Sequence, residues 1–111
     1  MPKNKCHTAV QIALNVIGGK WKPIILWHLI DGAVRFGELH RMIPGVSQKM
    51  LTQQLRELEA DKIINRKVYQ EVPPKVEYSL TNYGLTLHPI LENLGNWGEL
   101  HHTKQSLKTT N

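Results

Sequence analysis

The chain has 111 residues, carries 14 Lys and Arg against 9 Asp and Glu for a formal net charge of +5, and contains one cysteine. That length fits a single domain with a modest core and leaves little room for a large enzyme cleft beside it. No apolar run approaches the ~20 residues of a membrane span, the polar start "MPKNKCHTAV" has no apolar signal core, and a lone cysteine excludes an internal disulfide, all of which points to a cytoplasmic protein whose basic balance suits a polyanion such as nucleic acid.

Periodicity divides the chain into five helices and a hairpin, which predicts a mainly α fold with a small β-hairpin (α+β). Residues 1–7 and 104–111 read as polar, flexible tails around one domain at 8–103. The first helix is expected near Thr8, where Thr8 and Gln11 have capping-box spacing. Val10, Ala13, Leu14 and Ile17 form its apolar stripe, and Gly18-Gly19 end it. A second helix begins at Pro23 and is apolar almost all round through Ile24, Ile25, Trp27, Leu29 and Ile30, so it should be central and buried. A short third helix spans 36 to 42, with Phe36 and Leu39 inward.

Pro44-Gly45 makes a turn, and Ser47 caps the fourth helix, where Val46 can staple onto Leu51. After Asp61 the period changes to two. "IINRKVYQ" and "KVEYSL" flank the proline-bearing loop "EVPPK", which reads as a hairpin. A last helix starts near Thr81 with the stripe Leu87, Ile90, Leu91, Leu94 and Trp97. Pro89 falls inside it and predicts a kink or a restart.

Short helix, glycine-bearing turn, capped helix is the helix-turn-helix pattern, and a hairpin directly after it makes a winged helix. On the fourth helix Leu51, Leu55 and Leu58 share one arc. Ser47 opens the helix, and Gln48, Lys49, Thr52, Gln53 and Arg56 share the opposite arc. No acid occurs between Glu38 and Glu57. Amide, hydroxyl and cationic groups read base edges in the major groove, and a carboxylate there would be repelled by phosphate. Arg66, Lys67 and Lys75 flank the hairpin loop and suit backbone contacts. Two plainer readings stay beside this one: a solvated polar face, and a winged helix that binds protein and not DNA.

The segments "IGGKWKPIILWHL", "RFGELHRMIPGVSQKMLTQQLRELEADKIINR", "VPPKVEYSLT" and "WGELH" resemble the HxlR-type winged-helix (MarR-like) transcriptional regulators over roughly residues 10 to 102. The resemblance implies a homodimeric regulator of transcription, repressor or activator. Its reading helix would carry Ser47, Gln48, Lys49, Thr52, Gln53 and Arg56, and its wing Arg66, Lys67 and Lys75. The first and last helices would form the dimer interface, through Val10, Leu14, Leu87, Ile90, Leu91, Leu94 and Trp97, on a palindromic operator.

Several such regulators sense oxidants or electrophiles through a cysteine just before the first helix, which makes Cys6 a candidate sensor. Lys3, Lys5 and His7 and a following helix N-terminus favour its thiolate. Here His7 replaces the usual proline after that cysteine, and the spacing to "IGGKW" is longer, so an unremarkable cysteine in a tail is the competing reading. None of the six histidines forms a metal-binding pair, and no metal or cofactor is expected. Trp21, Trp27 and Trp97 are either core residues or the lining of a small effector pocket. No phosphate loop, nucleophile elbow or carboxylate pair is present, so no enzyme is read.

Overall fold

The computed structural model describes residues 3–109, with side chains over 7–106. Helix α1 occupies Lys3–Ile17 and α2 Trp21–His28. A short strand β1 (Val34–Arg35) leads into α3 (Phe36–Met42) and α4 (Gln48–Ala60). Strands β2 (Ile64–Tyr69) and β3 (Lys75–Leu80) form a hairpin, and α5 (Asn82–Leu85) and α6 (His88–Thr109) follow. The strands make one antiparallel sheet in the order β1-β3-β2. The fold is mainly helical with a small sheet, a helix-turn-helix followed by a wing, in agreement with the sequence periods. No described helix is long and apolar enough to cross a membrane.

The core lies where α2, α3 and α4 meet the sheet. Ile25, Leu26 and Leu29 pack with Leu39, Ile43, Leu51, Leu55 and Leu58, and with Ile63, Ile64 and Tyr78 from the sheet side. The three leucines of α4 are almost completely enclosed. Each contributes about 1.5–3 kcal/mol by leaving water, so this stripe fixes which arc of α4 faces out.

The structure corrects several expectations. Helix α1 starts at Lys3, so Thr8 lies in its interior and is not a cap. No glycine or proline separates Lys3 from Thr8, and a threonine inside a helix costs at most about 0.7 kcal/mol relative to alanine. Helical backbone thus runs through residues 3–7 and on to Thr109. Residues 1, 2, 110 and 111 of the expected tails lie outside the described residues. Helix α2 is buried on one side only: Ile24 and Trp27 are 38% and 49% exposed. Strand β1 was not expected. It is too short to show a period, and it joins the sheet by pairing Val34 with Tyr78 and Arg35 with Glu77. Pro89 marks a restart, since it sits in the first turn of α6, where its missing N–H goes unused.

The terminal helices are only partly covered by the rest of the chain. The face that α1 turns toward the rest of the fold is Ala9, Ile12, Ala13, Val16 and Ile17, which line a hollow of about 240 Å³ with Ile63, Leu87 and Ile90. Val10 and Leu14 fall outside that lining and are 58% and 60% exposed, and Ile12 within it is exposed to the same degree. Among the described residues of α6 only Leu91 is buried, as part of the chain's own core, and every residue from Glu92 to Ser106 is exposed. The radius of gyration is 16.6 Å, against ~13 Å for a compact chain of this length.

Thr81 fastens the wing to the helices. Its hydroxyl proton is shared between the carbonyls of Lys62 (2.8 Å) and Ile63 (3.1 Å), and its oxygen accepts the Gly84 amide at 2.8 Å. Gly84 lies so close to the Ile63 carbonyl that a Cβ there would collide with it. Gly84→Ala is therefore expected to destabilise the protein by about 1–3 kcal/mol. The loss should appear as a lower urea midpoint with unchanged m at fixed protein concentration; an unmoved midpoint would contradict this close packing.

Candidate nucleic-acid interface

The turn before α4 is held from three sides. Gly45 adopts a left-handed backbone, φ +90°, which a side chain would strain. His40 Nε2 lies 2.9 Å from the Val46 carbonyl oxygen. A carbonyl only accepts, so that nitrogen carries the proton, and α3 is tied to the residue ahead of the cap. Ser47 Oγ accepts the Met50 amide at 3.0 Å, which is the cap that the sequence predicts.

Gln48, Lys49, Thr52, Gln53 and Arg56 fall on the outward arc and, with Phe36, line an open groove of about 540 Å³. Thr52 is half-buried, and its hydroxyl donates back to the Gln48 carbonyl at 2.8 Å. The other four are exposed, as is Ser47. Phe36 also lines a second hollow with Arg35, Gly37, Glu71, Pro73, Pro74, Lys75 and Val76. The α4 arc and the wing loop therefore belong to one continuous surface that joins at Phe36.

The wing cations do not act as one group. Register places Arg66 opposite Tyr78 and Lys67 opposite Glu77, and neighbouring residues of a strand point to opposite faces. Arg66 shares the face of buried Ile64 and Tyr78, yet it is exposed. Lys67 and Lys75 share the other face, where both ammonium groups stand over the Tyr69 ring, at 4.7 and 4.4 Å. Lys75 is half-buried and also bonds Glu77 Oε2 at 3.2 Å.

Among the described residues, several acids near this surface are matched by bases, Glu59 and Glu71 excepted. Glu38 bonds Arg41 at 2.6 Å. Glu57, which borders the α4 arc, accepts from Lys22 Nζ at 2.7 Å. The hydrogen bond and charge of Lys22, helped by a bond from Gln53, hold the Glu57 carboxyl below its ordinary value of 4.5. Lys49, Arg56 and Arg66 form no ion pair among the described residues.

The other candidates are scattered. Cys6 falls within α1, but its side chain lies outside the described residues. The three tryptophans are not brought together in one chain: Trp21 faces Gly45 in the helix-turn-helix turn, Trp27 lines an apolar groove with Ile24, Leu91 and Leu94, and Trp97 stacks on His101 at 5.2 Å.

Residues 16–106 match the family model described as HxlR-like helix-turn-helix. The chain belongs to this family of transcriptional regulators. Among its HxlR-like relatives is the uncharacterized HTH-type transcriptional regulator YybR of Bacillus subtilis (strain 168), 57% identical over 96 residues that cover 86% of this chain and 77% of that protein. The redox regulator HypR matches in two solved states. Its reduced form is 54% identical with a TM-score of 0.83, covering 88% of this chain and 97% of that one. Its oxidised form is 58% identical with a TM-score of 0.79, covering 82% and 94%. These relatives are regulators of transcription and not enzymes.

Sequence reasoning missed Lys22 and His40. A single cation inside the apolar run "WKPIIL" was the available signal for Lys22, since a buried ammonium needs a partner. Its partner lies 35 residues away in sequence, beyond the reach of spacing rules.

Tyr69 is more than an apolar wing residue. Its hydroxyl donates to Glu77 Oε1 at 2.9 Å, and this bond, followed by the one from Lys75, holds the Glu77 carboxyl below 4.5. A lowered folded value stabilises the protein above the ordinary value and is lost as pH falls through the folded one. Tyr69→Phe should raise the Glu77 value toward 4.5 and shrink the stability lost on acidification. Carbon-13 NMR titration of the Glu77 carboxyl reads this directly, and an unshifted titration would refute it.

Proposed function

We propose that this HxlR-like regulator is a sequence-specific double-stranded DNA-binding protein that acts in the cytoplasm as a homodimer on a palindromic operator. The observation that carries the reading is the outward arc of α4. It offers Ser47, Gln48, Lys49, Gln53 and Arg56 with no acid before Glu57, which is paired with Lys22, and it continues into the wing. Amide and cationic side chains on such an arc suit base edges in the major groove. Arg66 and Lys67 suit phosphates.

The homodimer is supported by the exposed apolar side chains of the terminal helices. Val10, Leu14, Ile90, Leu94 and Trp97 are all more than half exposed in a single chain, and a solvated monomer gains nothing from so many large apolar groups on two helices. A second copy would cover them and set two reading helices about one DNA turn, ~34 Å, apart. A redox input through Cys6 belongs to the same proposal, on the likeness to HypR. With one cysteine per chain, its oxidation would end in a disulfide between subunits or with a small thiol. DNA affinity measured before and after diamide, with Cys6→Ser as control, tests that part; equal affinity throughout removes Cys6 from the mechanism.

The decisive experiment is fluorescence anisotropy with DNA from upstream of the gene and with a scrambled duplex, across a salt series. The expected result is tight binding to the first, with a log–log salt slope near −5 for ~6 neutralised phosphates. Gln53→Ala or Lys49→Ala should cost about 1–3 kcal/mol on the specific duplex. Arg66→Ala should weaken both duplexes alike and lower the slope by ~1. No binding even at low salt would favour a protein-binding winged helix instead.

A further inference from the structure

We infer that Lys22 and Glu57 form a positioning pair for Gln53, which fixes the end of the Gln53 amide that faces outward and so sets the base edge this point of α4 accepts. The inference rests on the DNA-reading role proposed for α4. Lys22 comes from α2 and is buried, its side chain 8% exposed. Its ammonium reaches across to Glu57 Oε1 at 2.7 Å. The Glu57 side chain is 44% exposed, so the carboxylate stands at the boundary between the core and the arc. Its second oxygen, Oε2, accepts from Gln53 Nε2 at 3.3 Å, one helical turn earlier.

The polarity of this chain of bonds follows from chemistry. An ionised carboxylate only accepts, and Lys22 keeps Glu57 ionised below the ordinary glutamate range. Gln53 must therefore turn its NH₂ toward Glu57 and its carbonyl oxygen away. One amide hydrogen is used by Glu57. The oxygen and the second hydrogen remain as an acceptor–donor edge, which matches the N6–H and N7 of adenine. Guanine offers only acceptors along the same edge, so it would face the Gln53 oxygen with no hydrogen to share. Without a charged Glu57 the amide could turn over and this distinction would fade.

The test is selection from a randomised duplex library with the full chain, comparing wild type, Gln53→Ala, Glu57→Gln and the double variant Lys22→Met/Glu57→Gln, each with a thermal melt. In Glu57→Gln the Lys22 ammonium takes the new amide's oxygen, which leaves its NH₂ toward Gln53 and turns the Gln53 amide over. The double variant removes the buried ammonium as well, so it reports even where a Lys22 without its counter-charge unfolds the single one. Wild type is expected to prefer adenine over guanine at one position per half-site, by roughly tenfold. Gln53→Ala, Glu57→Gln and the double variant should each lose that preference at the same position. A merely structural pair would lower the melting temperature and leave the preference intact. If Gln53→Ala changes one position while both Glu57 variants select as wild type does, the inference is overturned and α4 still reads DNA. If Gln53→Ala selects as wild type does, Gln53 is not the reader and the inference fails. If wild type selects no sequence at all, the DNA-reading proposal fails and takes the inference with it.

Discussion

Helix α4 has to be gripped hard on one arc and left bare on the other. Leu51, Leu55 and Leu58 supply an apolar grip with no directional preference along the helix. Lys22 adds direction, because an ammonium that is nearly enclosed cannot lose its carboxylate without leaving a buried charge unmet. Rotation of α4 about its axis would carry Glu57 away from Lys22, so the pair sets the rotation that the leucines alone would hold more loosely. At the other end of the helix, the Ser47 cap and the His40 bond to Val46 fix where α4 begins. Every residue on the outward arc takes its place from these anchors.

Much of this architecture was legible because it is written in local period and local chemistry. The alternation in "KVEYSL", the Ser47 cap and the four-three spacing of the α4 leucines each need only a few neighbouring residues to be read. What escaped depends on partners distant in sequence. Strand β1 is a strand only because Tyr78 and Glu77 present bonding groups to Val34 and Arg35. Helix α2 looked buried all round because its composition is apolar all round, yet the chain holds too little mass to cover Ile24 and Trp27. The candidate site was legible as a list of residues on an arc. The split of Arg66 from Lys67, and the tether of Lys75 to Glu77, needed strand register.

The exposed side of α2 is continuous with the exposed side of α6. Ile24 and Trp27 share a groove with Leu91 and Leu94, while α1 and α6 meet over a second apolar hollow. Many of the apolar residues that the fold leaves uncovered are thus on the terminal helices and their neighbour α2, although Met50 on α4 and Val68 and Val72 on the wing are exposed as well. Segregation of this kind lets one side of a small chain meet a second copy while the other side stays polar and free. The long radius of gyration has the same origin, since a helix such as α6 extends well past the core that Leu91 joins.

Charge is segregated in a parallel way. Near the proposed interface the acids Glu38, Glu57 and Glu77 are each bonded to a base of the same chain: Arg41, Lys22 and Lys75. Each match removes one negative charge from the field at the surface and uses one cation that would otherwise face a polyanion. What remains is the excess, Lys49 and Arg56 on the arc and Arg66 on the wing, with Lys67 held over Tyr69. The overall charge of +5 is therefore a poor guide to where attraction is felt. Exposed pairs such as Glu38–Arg41 add little stability in water, so their value here is better counted in the field they cancel. Glu71, in the wing loop beside Lys75, forms no ion pair among the described residues. In the proposed DNA complex a polyanion along the arc would be drawn by Arg66 and Lys67 on β2 and repelled by Glu71 at the wing's tip, which favours contact through α4.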